Sequence, residues 1–187
     1  MDGFQTLDVI LGRRSCRGFS TEPVPQEILV DILEAGQAAP YIMPNSRHFT
    51  VLRDRRLIEE ISRVAKGEGG KISAEHFALF SSPGFDGTYG ASTLIILSGN
   101  EATRQFELVC GLSAQNMLIT AQAFGVASCI AYFPIFAFFG ADGESWRNRL
   151  KIPAGFRPSL AVMLGYSEYG MDDGADGRYK NEITYIS

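Results

Sequence analysis

The run Arg13-Arg14-Ser15-Cys16-Arg17 places three guanidiniums, a hydroxyl and a thiol within five residues of a chain whose net charge is -4. Guanidinium forks match the paired oxygens of a phosphate or carboxylate, and serine adds a compact donor, so the run has the chemistry of an anion clamp. Gly18-Phe19-Ser20 and the prolines Pro23 and Pro25 keep the following segment out of helix, which leaves the run on a loop. Read in isolation it is equally a solvated basic turn. Cys16, between arginines, is either a reactive thiol or an inward-packed side chain.

Little else in the chain competes for a chemical role. Two histidines, His48 and His76, cannot build a multi-histidine metal site, and no Ser-His-Asp or Cys-His arrangement is evident. His48 reads as a strand residue with a satisfied hydrogen bond or as a pocket donor. The three cysteines (Cys16, Cys110, Cys129) are widely spaced and form no CxxC, so neither a disulfide framework nor a zinc site is indicated. A reducing compartment, the cytoplasm, is the simple expectation, and the first residues lack a signal-peptide pattern. The acidic balance argues against a nucleic-acid face.

These residues must be held by ordinary globular elements. A chain of 187 residues with 45% hydrophobic and 20% charged side chains fits a single domain over 1–187. Leu7–Leu11 is an apolar helix pattern. A second helix opens at Pro25-Gln26-Glu27 and carries Ile28, Leu29, Ile32 and Leu33 at helical spacing. A loop over 38–47 leads to the strand His48–Leu52, and Arg55–Lys66 is an amphipathic helix. Gly67–Gly90 is rich in Gly, Ser and Pro and reads as a long excursion, either a lid or a surface insertion. Thr93–Leu97 is a buried strand.

Leu108–Ala141 holds no charged side chain. Gln115, Asn116, Thr120, Gln122, Ser128 and Gly125 interrupt it, which favours a buried helix (Thr103–Phe124) followed by a strand (Val126–Tyr132) over a membrane span. A short helix around Trp146 and the strand Ser159–Leu164 follow, and Ile183-Thr184-Tyr185-Ile186 ends the chain like a strand with no neighbour in sequence. Isolated strands among helices predict an α+β fold, a central mixed or antiparallel sheet sandwiched by helices.

Several of these segments, in order, resemble the FMN-dependent nitroreductase family. They are Arg13-Arg14-Ser15-x-Arg17-x-Phe19; Ala38-Ala39-Pro40 through Asn45-Ser46 to His48-Phe49-Thr50-Val51; Tyr89-Gly90-Ala91-Ser92-Thr93; Gly111-x-x-x-Gln115-Asn116-Met117-Leu118 through Gly125-x-Ala127-Ser128-Cys129; Ile152-Pro153 with Leu164-Gly165-Tyr166; and Arg178-x-Lys180 before the terminal strand pattern. No one motif is specific, but their collinearity over nearly the whole chain is. The resemblance implies an intertwined homodimer with a C-terminal arm exchanged between subunits and FMN at the interface. It implies that Arg13, Arg14, Ser15 and Arg17 clamp the phosphate and ribityl chain, with Arg178 and Lys180 in support. Pro40, Tyr41, Ile42 and Asn45 match the loop that reaches the flavin from the other subunit. Ile130, Ala131 and Tyr132 match the strand over the ring, and Gln115 with Asn116 matches the pocket lining.

The activity so implied is NAD(P)H-dependent reduction of a nitroaromatic, quinone or similar small electrophile, by ping-pong chemistry in which the flavin carries the hydride. The alternatives are a same-fold flavoenzyme of different chemistry, such as dehalogenation or flavin fragmentation, and a non-catalytic flavin-binding protein. Tyr132, Phe133, Phe136, Phe138 and Phe139 either cap the ring or fill a core corner. The chain departs from the family pattern in its loop, which is one residue shorter and reads Tyr41-Ile42-Met43-Pro44. Arg47 and His48 replace a glutamine and an aromatic, and Ser92 replaces a proline.

Overall fold

The computed structural model describes residues 3–170 and 182–186. Its centre is β2 (Thr93–Asn100), whose Leu94, Ile95, Ile96 and Leu97 are all fully buried. A strand that is apolar on both faces must be covered on both. It pairs with β1 (Arg47–Leu52) on one side and β4 (Phe156–Gly165) on the other, and β4 pairs with β3 (Ala127–Ala131). The order is β1-β2-β4-β3 and every pairing is antiparallel, which resolves the mixed-or-antiparallel expectation.

Side-chain alternation sorts the helices into two layers. Ile95, Leu97, Val162 and Leu164 face α2 (Gln26–Gln37) and α5 (Phe106–Ala123). Leu94, Ile96, Cys129, Ala161 and Met163 face α3 (Arg55–Gly69), the 3-10 helix Phe133–Phe138 and α6 (Gly143–Arg149). α1 (Gly3–Gly12) packs on α5. Gly36 lets α2 and α5 approach closely, since a Cβ there would fall 2.3 Å from the terminal methyl of Met117.

The Gly67–Gly90 segment is more ordered than its composition suggests. α3 runs on to Gly69, and α4 (Ala74–Phe80) follows, capped by Ser73, whose hydroxyl accepts from the His76 amide at 3.2 Å. Phe80 is buried among Phe85, Phe133 and Phe136, at centroid distances of 5.1, 5.1 and 5.9 Å. The segment closes in a knot on Asp86. Its carboxylate accepts from Ser62 Oγ at 2.8 Å, Thr88 Oγ1 at 2.7 Å, and the amides of Thr88 and Gly90, both at 2.9 Å. The knot holds Tyr89 and Gly90 at left-handed φ of 53° and 77°, and the Tyr89 carbonyl then accepts the Phe19 amide at 3.0 Å. An acidic side chain three residues from the 3.0 Å contact thereby fixes the extended segment that follows the basic run.

Glu182–Ile186 is exposed and pairs with no strand among the described residues.

Burial alone would raise the Asp86 pKa, but the hydrogen bonds from Thr88, Ser62 and Gly90 outweigh it and hold the carboxyl below its ordinary 3.8. A depressed carboxyl stabilises above its unfolded pKa and loses that contribution as pH falls through the folded value. Asp86→Ala should therefore cost about 1–3 kcal/mol near neutrality by chemical denaturation. The gap from the parent protein should narrow as the pH falls below the ordinary carboxyl value of 3.8 and through the lower folded value.

Candidate functional site

The basic run is positioned by backbone bonds to the sheet. Ser15 forms a parallel bridge with Ser128, the Cys16 amide donates to the Ser128 carbonyl at 2.9 Å, and the Ser20 amide donates to Tyr166 at 2.8 Å. Residues 15–20 are thus laid along the outer edge of β3 and over the end of β4.

The arginines divide by role. Arg14 turns back on α1, donating through Nη1 to the carbonyls of Leu11 at 2.7 Å, Arg13 at 3.1 Å and Gly12 at 3.3 Å. No basic residue stands in the last turn of α1, so Arg14 supplies the positive charge that a helix C-terminus favours. Arg13 is half-buried with its Nη1 3.5 Å from Ser15 Oγ. Arg17 is exposed and forms no ion pair among the described residues. Ser15 is bridged to Ser128 on β3, and further along that strand and just past it Ile130 is 44% exposed and Tyr132 is 53% exposed. One edge strand thus carries both the attachment of a cationic run and an exposed apolar end, the two chemistries of an anionic group joined to a flat ring. Arg178 and Lys180 lie outside the described residues.

The thiols take no part. Cys16 is half-buried, packs against the core and donates to the Gly18 carbonyl at 3.2 Å, which decides for the inward-packed alternative. Burial pushes the Cys129 thiol up and the Cys110 thiol to about 11, so both stay protonated. Among the described residues no group of three or more His, Cys, Asp and Glu side chains is placed to hold a metal. The aromatic set divides too: Phe133, Phe136 and Phe138 pack in the core, while Tyr132 and Phe139 are exposed and edge onto Phe136 at 5.4 and 5.6 Å.

The other expected residues sit elsewhere. Pro40, Tyr41, Ile42 and Asn45 are exposed on the loop that leads into β1, and Asn45 adopts a φ of 56°. β1 and β3 are the two edges of the sheet, with β2 and β4 between them. Three strand spacings amount to roughly 14 Å, so a single chain does not bring this loop to the clamp. The loop borders a cleft of about 450 Å³ that Arg47 and His48 also line. His48 meets Phe156 edge-on at 6.1 Å, and burial lowers its pKa, favouring the neutral ring. Gln115 is exposed on α5, whereas Asn116 donates to the Ala35 carbonyl at 3.0 Å and ties α5 to α2. Two contributors escaped the sequence reading. Asp86 was signalled only by the turn string Asp86-Gly87-Thr88-Tyr89-Gly90, and Arg47 only by its departure from the family pattern.

The model of the nitroreductase family matches residues 10–166. Among solved structures, the chain is similar to an FMN-bound nitroreductase from Desulfitobacterium hafniense DCB-2, with 25% identity, a TM-score of 0.88 and coverage of 100% of each chain. It is similar also to an FMN-bound nitroreductase from Bacteroides fragilis NCTC 9343, with 26% identity, a TM-score of 0.81 and coverage of 98% of this chain and 95% of that one. An FMN-dependent nitroreductase from Clostridium difficile R20291 shares the fold at 23% identity, with a TM-score of 0.80 and coverage of 98% and 100%. No curated protein matches the sequence. Among the described residues no helix is long and apolar enough to cross a membrane.

The split between the arginines has a measurable consequence. Arg14→Ala removes a helix cap and should cost about 1 kcal/mol of stability, whereas Arg17→Ala should stay within about 0.5 kcal/mol of the parent in urea denaturation of the apoprotein.

Proposed function

The chain belongs to the nitroreductase family, and from that membership we propose that it is an FMN-dependent oxidoreductase. It takes electrons from NAD(P)H and reduces small electrophilic acceptors such as nitroaromatics and quinones. The observation that carries this function is the edge strand β3: Ser15 of the basic run is bridged to its Ser128, and Ile130 and Tyr132, further along the same strand and just past it, are exposed. Arg13 and Arg17 would hold the FMN phosphate with Ser15 as a further donor, and Arg178 and Lys180 would add to that charge. Ile130, Ala131 and Tyr132 would lie against the ring and exclude water from one face. Bound FMN supplies reversible two-electron chemistry, so donor and acceptor use one pocket in turn and no side-chain nucleophile is required.

A second copy of the chain completes the proposed site. The clamp and the Pro40–Asn45 loop occupy opposite sheet edges. Phe4, Leu7 and Leu11 of α1 and Leu108, Leu112 and Phe124 at α5 are large apolar side chains left in water by two helices that pack together. A Cβ on Gly111 would meet nothing within 4 Å, so the outer face of α5 has room for a close neighbour. In a homodimer formed on these helices, Pro40, Tyr41, Ile42 and Asn45 would reach the flavin of the other subunit, and Ile183–Ile186 would exchange onto its sheet. The three free thiols suit the cytoplasm.

The visible spectrum of the purified protein, taken anaerobically before and after NADH or NADPH, tests the function. A flavin band that bleaches on either addition is expected. A band that persists would leave a flavin-binding protein or another electron donor, and no flavin after incubation with FMN would overturn the assignment. The dimer is tested by Leu112→Glu, which should give a monomer in analytical ultracentrifugation and lose at least about tenfold in FMN affinity, since burying an unpaired carboxylate costs several kcal/mol.

A further inference from the structure

Arg47 is assigned no role by the family resemblance, and it stands where the family pattern has a different residue. We propose that Arg47 is the positioning residue for the 40–45 loop, and so for the part of the flavin site that one subunit lends the other. This rests on the function proposed above.

The geometry is one cation on three carbonyls. From the first residue of β1, the guanidinium donates through Nη1 to Pro40 at 3.0 Å and through Nη2 to Ala39 at 2.8 Å and to Gln37. Gln37 ends α2, which carries no basic residue in its last turn. The last carbonyls of a helix have no partner within it, and here one planar donor fork serves the helix end and the first loop residue together. The same guanidinium carbon lies 6.0 Å from the ring centroid of Tyr41, the next residue along. At its far end the loop is pinned by the Ser46 carbonyl, which accepts the Asn100 amide at 2.9 Å. Between those two ties Tyr41, Ile42, Met43, Pro44 and Asn45 are all exposed. The direction in which the loop leaves α2 is therefore set by the plane of the Arg47 guanidinium. A lysine ammonium carries the same charge but cannot span three carbonyls with fixed geometry.

Arg53 offers a matched control. It leaves the other end of β1 and donates to the Val24 carbonyl at 2.7 Å and to Gln26 Oε1 at 2.6 Å, at the start of α2 and away from the loop. Full-length Arg47→Lys, Arg47→Gln and Arg53→Gln proteins are compared with the parent by apoprotein melting temperature, ultracentrifugation, FMN titration by fluorescence quenching, and the visible circular dichroism of bound FMN. Expected are dimeric Arg47 variants, lysine included, with FMN affinity lowered about tenfold or more, equivalent to about 1.4 kcal/mol, and an altered flavin dichroism. Arg53→Gln should lower the melting temperature while leaving affinity and dichroism unchanged. Parent-like affinity and dichroism in Arg47→Lys, or an equal loss in Arg53→Gln, would reduce Arg47 to a helix cap and overturn the proposal. If Arg47→Gln does not fold, Arg47→Lys decides. A parent protein that binds no FMN overturns the function itself and this inference with it, a result distinct from a binding parent with unaffected variants.

Discussion

Everything in this molecule hangs on β2 having no polar face. Leu94 and Ile96 turn one way, Ile95 and Leu97 the other, and all four are fully buried. Water must be kept from both sides, so helices cover both, and at about 25 cal/mol per Å² of apolar surface the arrangement outweighs any single polar contact in the chain. With β2 and β4 in the middle, β1 and β3 are left as edges. The candidate site residues stand at these edges: the basic run is bridged to β3, and the loop from α2 feeds β1. A buried strand thus decides that the basic run and the Pro40–Asn45 loop stand on opposite margins of one chain.

Arginine at this site does two kinds of work. Arg14 and Arg47 each place a guanidinium on the carbonyls at a helix end, where it offsets the negative pole of the helix and satisfies acceptors that have no partner within it. Arg17 stays in solvent without an ion pair among the described residues, and its charge is available to a ligand. Neighbours in sequence therefore differ in function: Arg14 shapes the site and Arg17 faces what would bind there. The same division separates Asn116, whose amide is committed to Ala35, from exposed Gln115.

The acidic counterpart is Asp86. It pairs with no cation among the described residues but gathers hydroxyls and amides, and the turn it closes delivers the Tyr89 carbonyl to Phe19. The Gly67–Gly90 segment, which composition presents as an excursion, is in this way tied to Phe19, just after the basic run. α4 and its buried Phe80 tie it at the other end to the aromatic corner built by Phe133 and Phe136.

The sequence by itself determined the α+β class, most of the elements and the loop position of the basic run. Apolar period is a local property: the alternation and runs of His48–Leu52, Thr93–Leu97 and Ser159–Leu164, and the helical spacing after Pro25 and Arg55, can be read a few residues at a time. α4 escaped because seven residues among glycines and serines carry too little period to register, and its stability comes from Phe80 packing against residues more than fifty positions away. Only the tertiary structure decided which arginines cap helices, that Cys16 packs inward, that the aromatic set splits between core and surface, and that Arg47 governs a loop. Each of these depends on which carbonyl or ring lies across a gap closed by the sheet. The separation of the clamp from the Pro40 loop is of the same kind. Strand order is set by which faces of β2 and β4 must be buried together, and that pairing is a relation between distant segments that no local pattern contains.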